Sequence, residues 1–241
     1  MIVLMKKNKS LKGFLIMEFI IDTADLKAIR RIVEFFPVTG VTTNPTIISK
    51  EKTDFKQLVL ALREAVGPDK QVHVKTTCEK AEEIVREAEE LQALVGGEFY
   101  IKIPVGPEGL KATMMLKKKG IGVTMTAIFT AEQALMGALA GATYVAPYVN
   151  RLDNVCADGV GVVSDIVQLF DVHGLDCKVL AASFKNVQQV HNVALCGGHA
   201  VTINPELYDQ IVYHPLPDKA IADFTSDWKG VYGEKGILDL I

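Results

Sequence analysis

The sequence has few cysteines, and those it has follow no motif. Four occur among 241 residues, too far apart for a disulfide framework and without the Cys/His spacing of a zinc site: Cys78, Cys156, Cys177 and Cys196. Long hydrophobic runs are also missing, because lysines interrupt the apolar start of the chain and no small-residue cleavage site follows it. We therefore expect reduced thiols, no signal peptide, no membrane partner and a cytoplasmic location.

An excess of charge of one sign is missing as well. The 26 basic and 29 acidic residues leave a formal net charge of −3, and the densest basic run, Lys117–Lys119, is typical of the solvated end of a helix. Without a basic stripe, nucleic acid is not an expected partner. Apolar residues at 49% and charged residues at 23% are typical of a globular domain, which excludes a disordered or fibrous class.

What the sequence does have is a regular alternation of short apolar runs and longer amphipathic stretches, repeated about eight times. This pattern is typical of an α/β fold with parallel strands and crossover helices, and it predicts a closed (β/α)8 TIM barrel, with an open doubly wound sheet as the alternative. The predicted strands are Phe19–Asp22, Gly40–Thr43, Val72–Thr76, Phe99–Val105, Gly122–Phe129, Tyr144–Val149, Lys178–Ser183 and Ala200–Ile203.

The chain length suits one barrel domain with additions at both ends. Residues 1–16 are interpreted as an N-terminal extension, either natural or an expression remnant, with Met17 as the candidate natural start. The barrel is predicted over residues 17–214, and its last helix over Asn204–Tyr213. Residues 215–241 are predicted to form an extra C-terminal helix and a tail.

The extra C-terminal helix, predicted over Pro217–Val231, is amphipathic but has no strand of its own to cover. Its apolar face includes Ile221, Phe224 and Trp228. Because an exposed apolar stripe is unfavourable in water, we expect this face to pack on the barrel or on a neighbouring subunit.

Polar residues stand where the first two strands end, at the face on which barrels build their active sites. Asp22 follows three apolar residues in FIIDT, and Thr42 and Asn44 precede a proline in GVTTNP. Each has a plainer interpretation. Asp22 could cap the helix that begins near Asp25, and Thr42 and Asn44 could simply form a turn.

Lys102 lies in the middle of an apolar strand, FYIKIPV, where an ammonium group is unfavourable unless it is paired or neutralised. Side chains alternate along a strand, so Tyr100, Lys102 and Pro104 share one face. If that face points into the barrel, burial lowers the pKa of the amine and supplies a neutral nucleophile. The alternative is a lysine that reaches outward between helices.

Later strand ends add further candidates. Thr126 lies on the fifth strand, and YVAPYVNRLD places Tyr148 and Arg151 at the end of the sixth. Tyr148 could be a core ring, and Arg151 could pair with Asp153, although a guanidinium is also a good phosphate ligand. Ser183 ends the seventh strand, next to where barrels commonly bind phosphate.

In this order, FIIDTADL, GVTTNPTII, YIKIPVGPEGL, ALAGATYVAPYVNRLD and VLAASFK make the chain resemble the fructose-6-phosphate aldolase and transaldolase family, from about Met17 to about Gly233. The resemblance implies a metal-free (β/α)8 barrel that needs no cofactor and acts as a class I aldolase or transaldolase on small sugars or sugar phosphates. It also implies a homo-oligomer, commonly a decameric ring, in which the C-terminal helix reaches over a neighbouring subunit.

The resemblance also implies roles for the residues that match its motifs. Lys102 would form the Schiff base, Asp22 would act as acid and base, and Arg151 and Ser183 would bind the sugar phosphate. Tyr148 matches the aldolase branch, where a tyrosine relays protons through water and transaldolases typically have phenylalanine. The polar contacts to the ketone or to the catalytic water would come from Thr42, Asn44 and Thr126.

The third strand departs from the family pattern, in which it ends with a glutamine or glutamate that holds the catalytic water. Here the segment reads QVHVKTT, and the matching position is either Lys75 or Thr76. If Lys75 points inward, its ammonium would lower the pKa of Lys102 further and change how protons reach the enamine.

These observations favour a class I aldolase that cleaves fructose 6-phosphate or a related ketose into dihydroxyacetone and glyceraldehyde 3-phosphate, or condenses the two. A transaldolase that transfers the dihydroxyacetone unit between sugar phosphates is the first alternative. A catalytically silent barrel that binds sugar phosphates is a remote one, motivated by the altered third strand.

Overall fold

The computed structural model describes residues 16–241, so the extension predicted over 1–16 lies outside them except for Ile16. Eight parallel strands close into a barrel in sequence order, β1 pairing with both β2 and β8. The (β/α)8 barrel is confirmed and the open sheet is ruled out. The strands β1 to β8 are Glu18–Asp22, Gly40–Thr42, Gln71–Lys75, Phe99–Pro104, Gly122–Ile128, Tyr144–Pro147, Lys178–Ala181 and Ala200–Ile203.

Eleven α-helices are described within residues 16–241, most of them on the outside of the barrel strands. Their starts follow capping chemistry: Asp54, Asp158 and Asn186 each accept a backbone N–H with the side chain, and Thr130 forms a capping box with Gln133. The helices α1 to α11 are Leu26–Phe35, Pro45–Lys50, Phe55–Val66, Ala81–Val95, Pro107–Lys118, Ala131–Ala140, Val149–Asp153, Gly159–His173, Val187–Leu195, Pro205–Val212 and Pro215–Tyr232.

Six predicted strands, β2 to β7, extend too far at their carboxyl ends, β2 to β5 by one residue and β6 and β7 by two. β6 ends at Pro147 rather than Val149, because Tyr148 is already the N-cap of α7. β7 ends at Ala181 rather than Ser183, because the Ser183 backbone turns into the left-handed region, with φ of 64°. β3 ends at Lys75 rather than Thr76.

The main hydrophobic core lies between the barrel wall and the helices. Outward strand residues such as Val41, Val74 and Ile101 are fully or almost fully buried there. A second, smaller cluster fills the barrel interior, formed by Ile20, Tyr144, Leu180 and Ala200 with Tyr100 packed against it. The two clusters follow from the alternation of side chains along each strand.

The amino-terminal half of the barrel interior holds a polar network that we call the floor: Glu18, Gln71, His73, Thr124, Tyr144 and Lys178. Glu18 accepts hydrogen bonds from Tyr144 at 2.8 Å and from Gln71 at 3.2 Å, and it pairs with Lys178. His73 bonds Gln71 Oε1 at 2.9 Å and Thr124 Oγ1 at 2.8 Å and stacks on the Tyr100 ring. The buried polar groups of the floor are thus paired with one another, as burial requires.

Gly122 on β5 makes room for one ring at this level. A Cβ built there would lie 2.5 Å from the ring of Tyr100, so only glycine lets that ring stand between β4 and β5 inside the barrel. The stacking of Tyr100 on His73 depends on this space.

The chain divides into two compact units: the first ends at Tyr208 and the second is Asp209–Ile241. In the second unit, Trp228 Nε1 donates to Lys235 O at 2.7 Å and its ring lies 4.5 Å from that of Tyr232. No residue of α11 is buried in this single chain. The domain limits predicted from the sequence, and the packing of the C-terminal helix on a subunit, stay predictions. Within residues 16–241, no helix is both long and apolar enough to cross a membrane.

Candidate active site

The carboxyl ends of the strands surround a cavity of about 680 Å³. This end of a barrel is where its loops can build a site. Six of the eight predicted site residues line the cavity: Asp22, Asn44, Lys102, Tyr148, Arg151 and Ser183. The other two, Thr42 and Thr126, are fully buried behind it and hydrogen-bond to residues that line it. We call this cavity, with the side chains that line it, the mouth.

Lys102 points into the barrel from β4, so the outward alternative is wrong. The side chain is 6% exposed, and Nζ donates to the carbonyl oxygen of Thr43 at 3.1 Å. Burial lowers the pKa of the amine, the nearby Lys75 ammonium lowers it further, and the Asp22 carboxylate opposes both. These effects shift the ionisation of Lys102 towards the neutral, nucleophilic amine.

Asp22 ends β1 on the same cavity, with Thr42 Oγ1 donating to Oδ1 at 2.7 Å. It does not cap α1: that role belongs to Asp25, whose carboxylate accepts from the backbone N–H groups of Lys27 and Ala28. Burial raises the pKa of Asp22, while Lys102 and the Thr42 hydrogen bond lower it. A carboxyl with a raised pKa can exchange protons with a reacting group.

Thr202 on β8 completes this wall and was missed in the sequence. Its hydroxyl lies 2.5 Å from Thr42 Oγ1. Because Thr42 donates its one hydroxyl hydrogen to Asp22, Thr202 must donate to Thr42, which makes a chain directed at the carboxylate. The available signal was a lone polar residue on the inward face of an apolar strand.

Asn44 serves two purposes, since it lines the cavity and its Oδ1 caps α2 by accepting from Ile47 N at 3.0 Å. Its extended backbone makes Asn44 the N-cap of α2 rather than a turn former. This capping role does not exclude the predicted contact with a ligand.

On the opposite wall, the Tyr148 hydroxyl lies 3.0 Å from Thr126 Oγ1. Tyr148 is half-buried and lines the cavity, so it is not a core ring. The Arg151 guanidinium lies over this ring, 4.7 Å from its centre. Arg151 does not pair with Asp153, whose carboxylate instead accepts from Gly159 N and from Gln189.

Two non-glycine residues with left-handed backbones border the cavity, Ser183 with φ of 64° and Ala127 with φ of 58°. Ala127 lies where the pairing of β5 with β6 shifts register between Met125 and Ile128. Such positions cost roughly 1–3 kcal/mol each and cluster where a site fixes its geometry.

The register of the third strand is now defined. Lys75 is paired with Lys102 across the strands and lines the cavity. Thr76 faces the helices, where its hydroxyl donates to Glu87 of α4. Lys75, not Thr76, therefore takes the inward position.

The mouth is strongly basic. Five basic residues and one acidic residue, Asp22, line the cavity, and the sequence-based prediction missed two of the five, Lys50 and Lys185. Both lie on exposed segments, where a lone lysine carries no signal. No group of three or more His, Cys, Asp or Glu side chains within residues 16–241 is arranged to hold a metal ion.

The fold and the cavity define the class of protein: a (β/α)8 barrel with a desolvated lysine at the centre of its site. The family model described as Transaldolase/Fructose-6-phosphate aldolase matches residues 19–235, and the chain belongs to that family. The resemblance seen in the sequence is confirmed.

Two relatives cover nearly the whole chain. A probable fructose-6-phosphate aldolase of Streptococcus pneumoniae is 38% identical over 92% of this chain and 100% of its own. A probable transaldolase 2 of Bacillus cereus is 41% identical over 88% of this chain and 97% of its own. A solved structure described as native KDPGal superposes with a TM-score of 0.55 at 16% identity, covering 85% of this chain and 87% of that one, which supports the fold alone.

Proposed function

We propose that the protein is a class I aldolase that cleaves fructose 6-phosphate or a related ketose through a Schiff base on Lys102. The observation that carries the proposal is the amine of Lys102, buried in a cavity with its pKa lowered and a carboxyl group across from it. A neutral amine can attack a ketone, and an ammonium cannot.

In the proposed reaction, Lys102 Nζ attacks the C2 carbonyl of the ketose and forms a carbinolamine. Protonation of its hydroxyl group, with Asp22 as the acid, releases water and gives an iminium. The iminium accepts the electron pair of the C3–C4 bond when the C4 hydroxyl loses its proton, so the aldehyde leaves and an enamine remains. Protonation of the enamine at C3 and addition of water release dihydroxyacetone and restore the amine.

The proposed phosphate ligands are Arg151 and Ser183, which line the β6–β7 side of the cavity. Their support is chemical: a guanidinium is a good phosphate ligand, and barrels commonly bind phosphate beside the seventh strand. The cation–π contact with Tyr148 would hold the guanidinium in place.

The proposal of aldolase over transaldolase rests on Tyr148, whose hydroxyl lies 3.0 Å from Thr126 and which lines the same cavity as Lys102. A hydroxyl pair that can relay protons favours release of the free ketone over its transfer. Transaldolase is the second candidate, because a relative of similar identity carries that name.

Two measurements test the proposal. Incubation with fructose 6-phosphate, with and without erythrose 4-phosphate, separates free dihydroxyacetone release from transfer, and the aldolase proposal expects release without the acceptor. Borohydride reduction in the presence of dihydroxyacetone should leave a covalent adduct on the chain. The absence of any adduct would refute both enzymatic readings and favour a silent sugar-phosphate-binding barrel.

We also propose that the protein is a cytoplasmic homo-oligomer, with a decamer as the assembly expected from the family resemblance. The support is α11, which exposes Leu216, Ile221, Phe224 and Val231 in the single chain. A second copy of the chain would remove this apolar surface from water. Sedimentation velocity of the full chain tests it: a monomer at micromolar concentration would contradict the proposal.

A further inference from the structure

The cavity holds more positive charge than one phosphate group requires. Besides the reacting amine of Lys102, the cavity has four basic side chains: Lys50, Lys75, Arg151 and Lys185. No ion pair within residues 16–241 involves Lys50, Lys75 or Lys185. A phosphate monoester carries about two negative charges at neutral pH, which leaves part of this charge without a counterpart.

The cations also lie on two different walls. Arg151 and Lys185 follow β6 and β7, whereas Lys75 ends β3 and Lys50 ends α2, between β2 and β3. Strands β3 and β7 are four positions apart in a closed barrel of eight, so their ends face each other across the mouth. One phosphate group cannot neutralise both walls.

Lys75 is the cation closest in position to the proposed Schiff base. Its Cα is the direct partner of the Lys102 Cα on the neighbouring strand, and neighbouring strands lie about 4.8 Å apart. Because both side chains also line the same cavity, an anion bound by Lys75 can lie beside the carbonyl carbon that Lys102 attacks. If the phosphate of the sugar lies at Arg151, the C1 end of the ketone is the end that points towards Lys75.

We propose that Lys75 forms a second anion-binding subsite and that the preferred donor ketone carries a negative group next to its carbonyl. That group is either a carboxylate on the carbonyl carbon, as in a 2-oxo acid, or a phosphate ester on C1. Such a ligand explains why an ammonium stands beside the nucleophilic amine without a carboxylate partner in the described chain. The inference rests on the proposed Schiff-base function and changes its preferred donor from fructose 6-phosphate and dihydroxyacetone to a ketone that carries this negative group.

The test is borohydride trapping of the full-length protein with three donors: dihydroxyacetone, dihydroxyacetone phosphate and pyruvate. The concentration of each donor that gives half-maximal trapping is measured. For each variant, the value for dihydroxyacetone is divided by the value for each anionic donor, and these ratios are compared. The ratio removes any change in the reactivity of Lys102 itself, which affects all three donors alike. We expect a half-maximal concentration at least about 10-fold lower for one of the two anionic donors.

Lys75→Gln should bring this ratio close to one, and Lys75→Arg should keep most of it because the charge remains. Lys118→Gln is the matched control, since it removes the same charge from an exposed position outside the cavity and should leave the ratio unchanged. Circular dichroism and a thermal melt of each variant establish that it is folded. A preference for pyruvate would identify a carboxylate as the bound group, and a preference for dihydroxyacetone phosphate would identify a phosphate.

The possible failures are distinct. Trapping of dihydroxyacetone at the same or a lower concentration than both anionic donors would overturn the second subsite and leave the Schiff-base function intact. A preference for anionic donors that survives Lys75→Gln would also overturn it. Trapping of none of the donors would refute the Schiff-base function, and the donor assignment with it.

Discussion

The floor and the mouth of the barrel are both polar, but the floor pairs charges of opposite sign, whereas the mouth places two lysines side by side. In the floor, the Glu18 carboxylate binds Lys178, Tyr144 and Gln71. In the mouth, Lys75 and Lys102 stand side by side as partners across two strands, a repulsive arrangement if both are charged. The floor therefore resembles a structural network, whereas the mouth keeps unfavourable groups that only a ligand or a reaction would use.

The same contrast appears in the ionisation of the two regions. His73 in the floor has a pKa well below the ordinary value, because it is fully buried and lies near Lys102, so it stays neutral and holds fixed hydrogen bonds. Gln71 Oε1 can only accept, so Nε2 of His73 donates to it and Nδ1 accepts from Thr124. In the mouth, Asp22 and Lys102 have pKa values displaced towards each other, which suits proton transfer.

The largest expected effect is the loss of turnover when the central lysine of the mouth is replaced. Lys102→Met should lower turnover at least about 10⁴-fold, because it removes the nucleophile of the proposed reaction. The free energy of unfolding should stay equal or rise by about 1 kcal/mol. Steady-state kinetics and urea unfolding measure the two, and activity close to that of the unaltered protein would contradict the assignment of Lys102.

The direction of the stability change follows from proton binding. The pKa of Lys102 is lowered in the folded chain, so the unfolded chain binds more protons between that lowered pKa and the ordinary lysine pKa. The buried amine therefore opposes folding most at pH values below its lowered pKa, and this opposition decreases as the pH rises from there to the ordinary value of about 10.4. The stabilisation of Lys102→Met should fade over the same range.

The second largest expected effect is a loss of stability when a buried polar residue of the floor is replaced. His73→Leu should lower the free energy of unfolding by about 3 kcal/mol, because Gln71 Oε1 and the Thr124 hydroxyl lose a buried partner. Turnover per folded molecule should change by less than about 3-fold. A stable His73→Leu protein with a collapsed turnover would show that the floor takes part in catalysis.

A matched pair of tyrosines sharpens the comparison further. Tyr148→Phe removes a hydroxyl from the mouth and should lower turnover about 30-fold with little change in stability. Tyr144→Phe removes one from the floor and should cost about 1 kcal/mol of stability while sparing turnover. Kinetics and urea unfolding of both variants test this prediction. Equal effects of the two substitutions on turnover and on stability would contradict the distinction between the mouth and the floor.

The smallest effect is a shift of the pH profile. Lys75 is one cause of the lowered pKa of Lys102, after burial. Lys75→Gln removes that repulsion, so the pKa of Lys102 should rise and the acid limb of kcat/KM should move to higher pH. Dihydroxyacetone or another neutral donor is the substrate to use. An unchanged or lower acid limb would show that the two amines do not interact.

Much of the fold and part of the site could be read from the sequence. The eight apolar runs predicted the closed barrel, because alternation of strand and helix leaves few other packings. Lys102 was recognisable because a charge inside an apolar strand needs a reason. The polar floor was overlooked, although Gln71 and His73 alternate with valines and so share the inward face.

The rest depended on contacts between distant parts of the chain. The ends of β6 and β7 are set by the turns at Tyr148 and Ser183, which no local pattern indicates. The choice of Lys75 over Thr76 depends on Glu87, whose helix takes up the threonine hydroxyl. Lys50 lines the cavity because of how the loops around it fold, and nothing near it in the sequence indicates this.

The central claim is that the neutral amine of Lys102, and not the lysine beside it, forms the covalent intermediate. The most direct measurement is peptide mapping by mass spectrometry after borohydride reduction with dihydroxyacetone, in which the peptides that contain Lys75 and Lys102 are resolved. We predict that the reduced adduct occurs on Lys102 and is absent from Lys75. An adduct on Lys75, or an unmodified Lys102 under conditions of full turnover, would contradict the account.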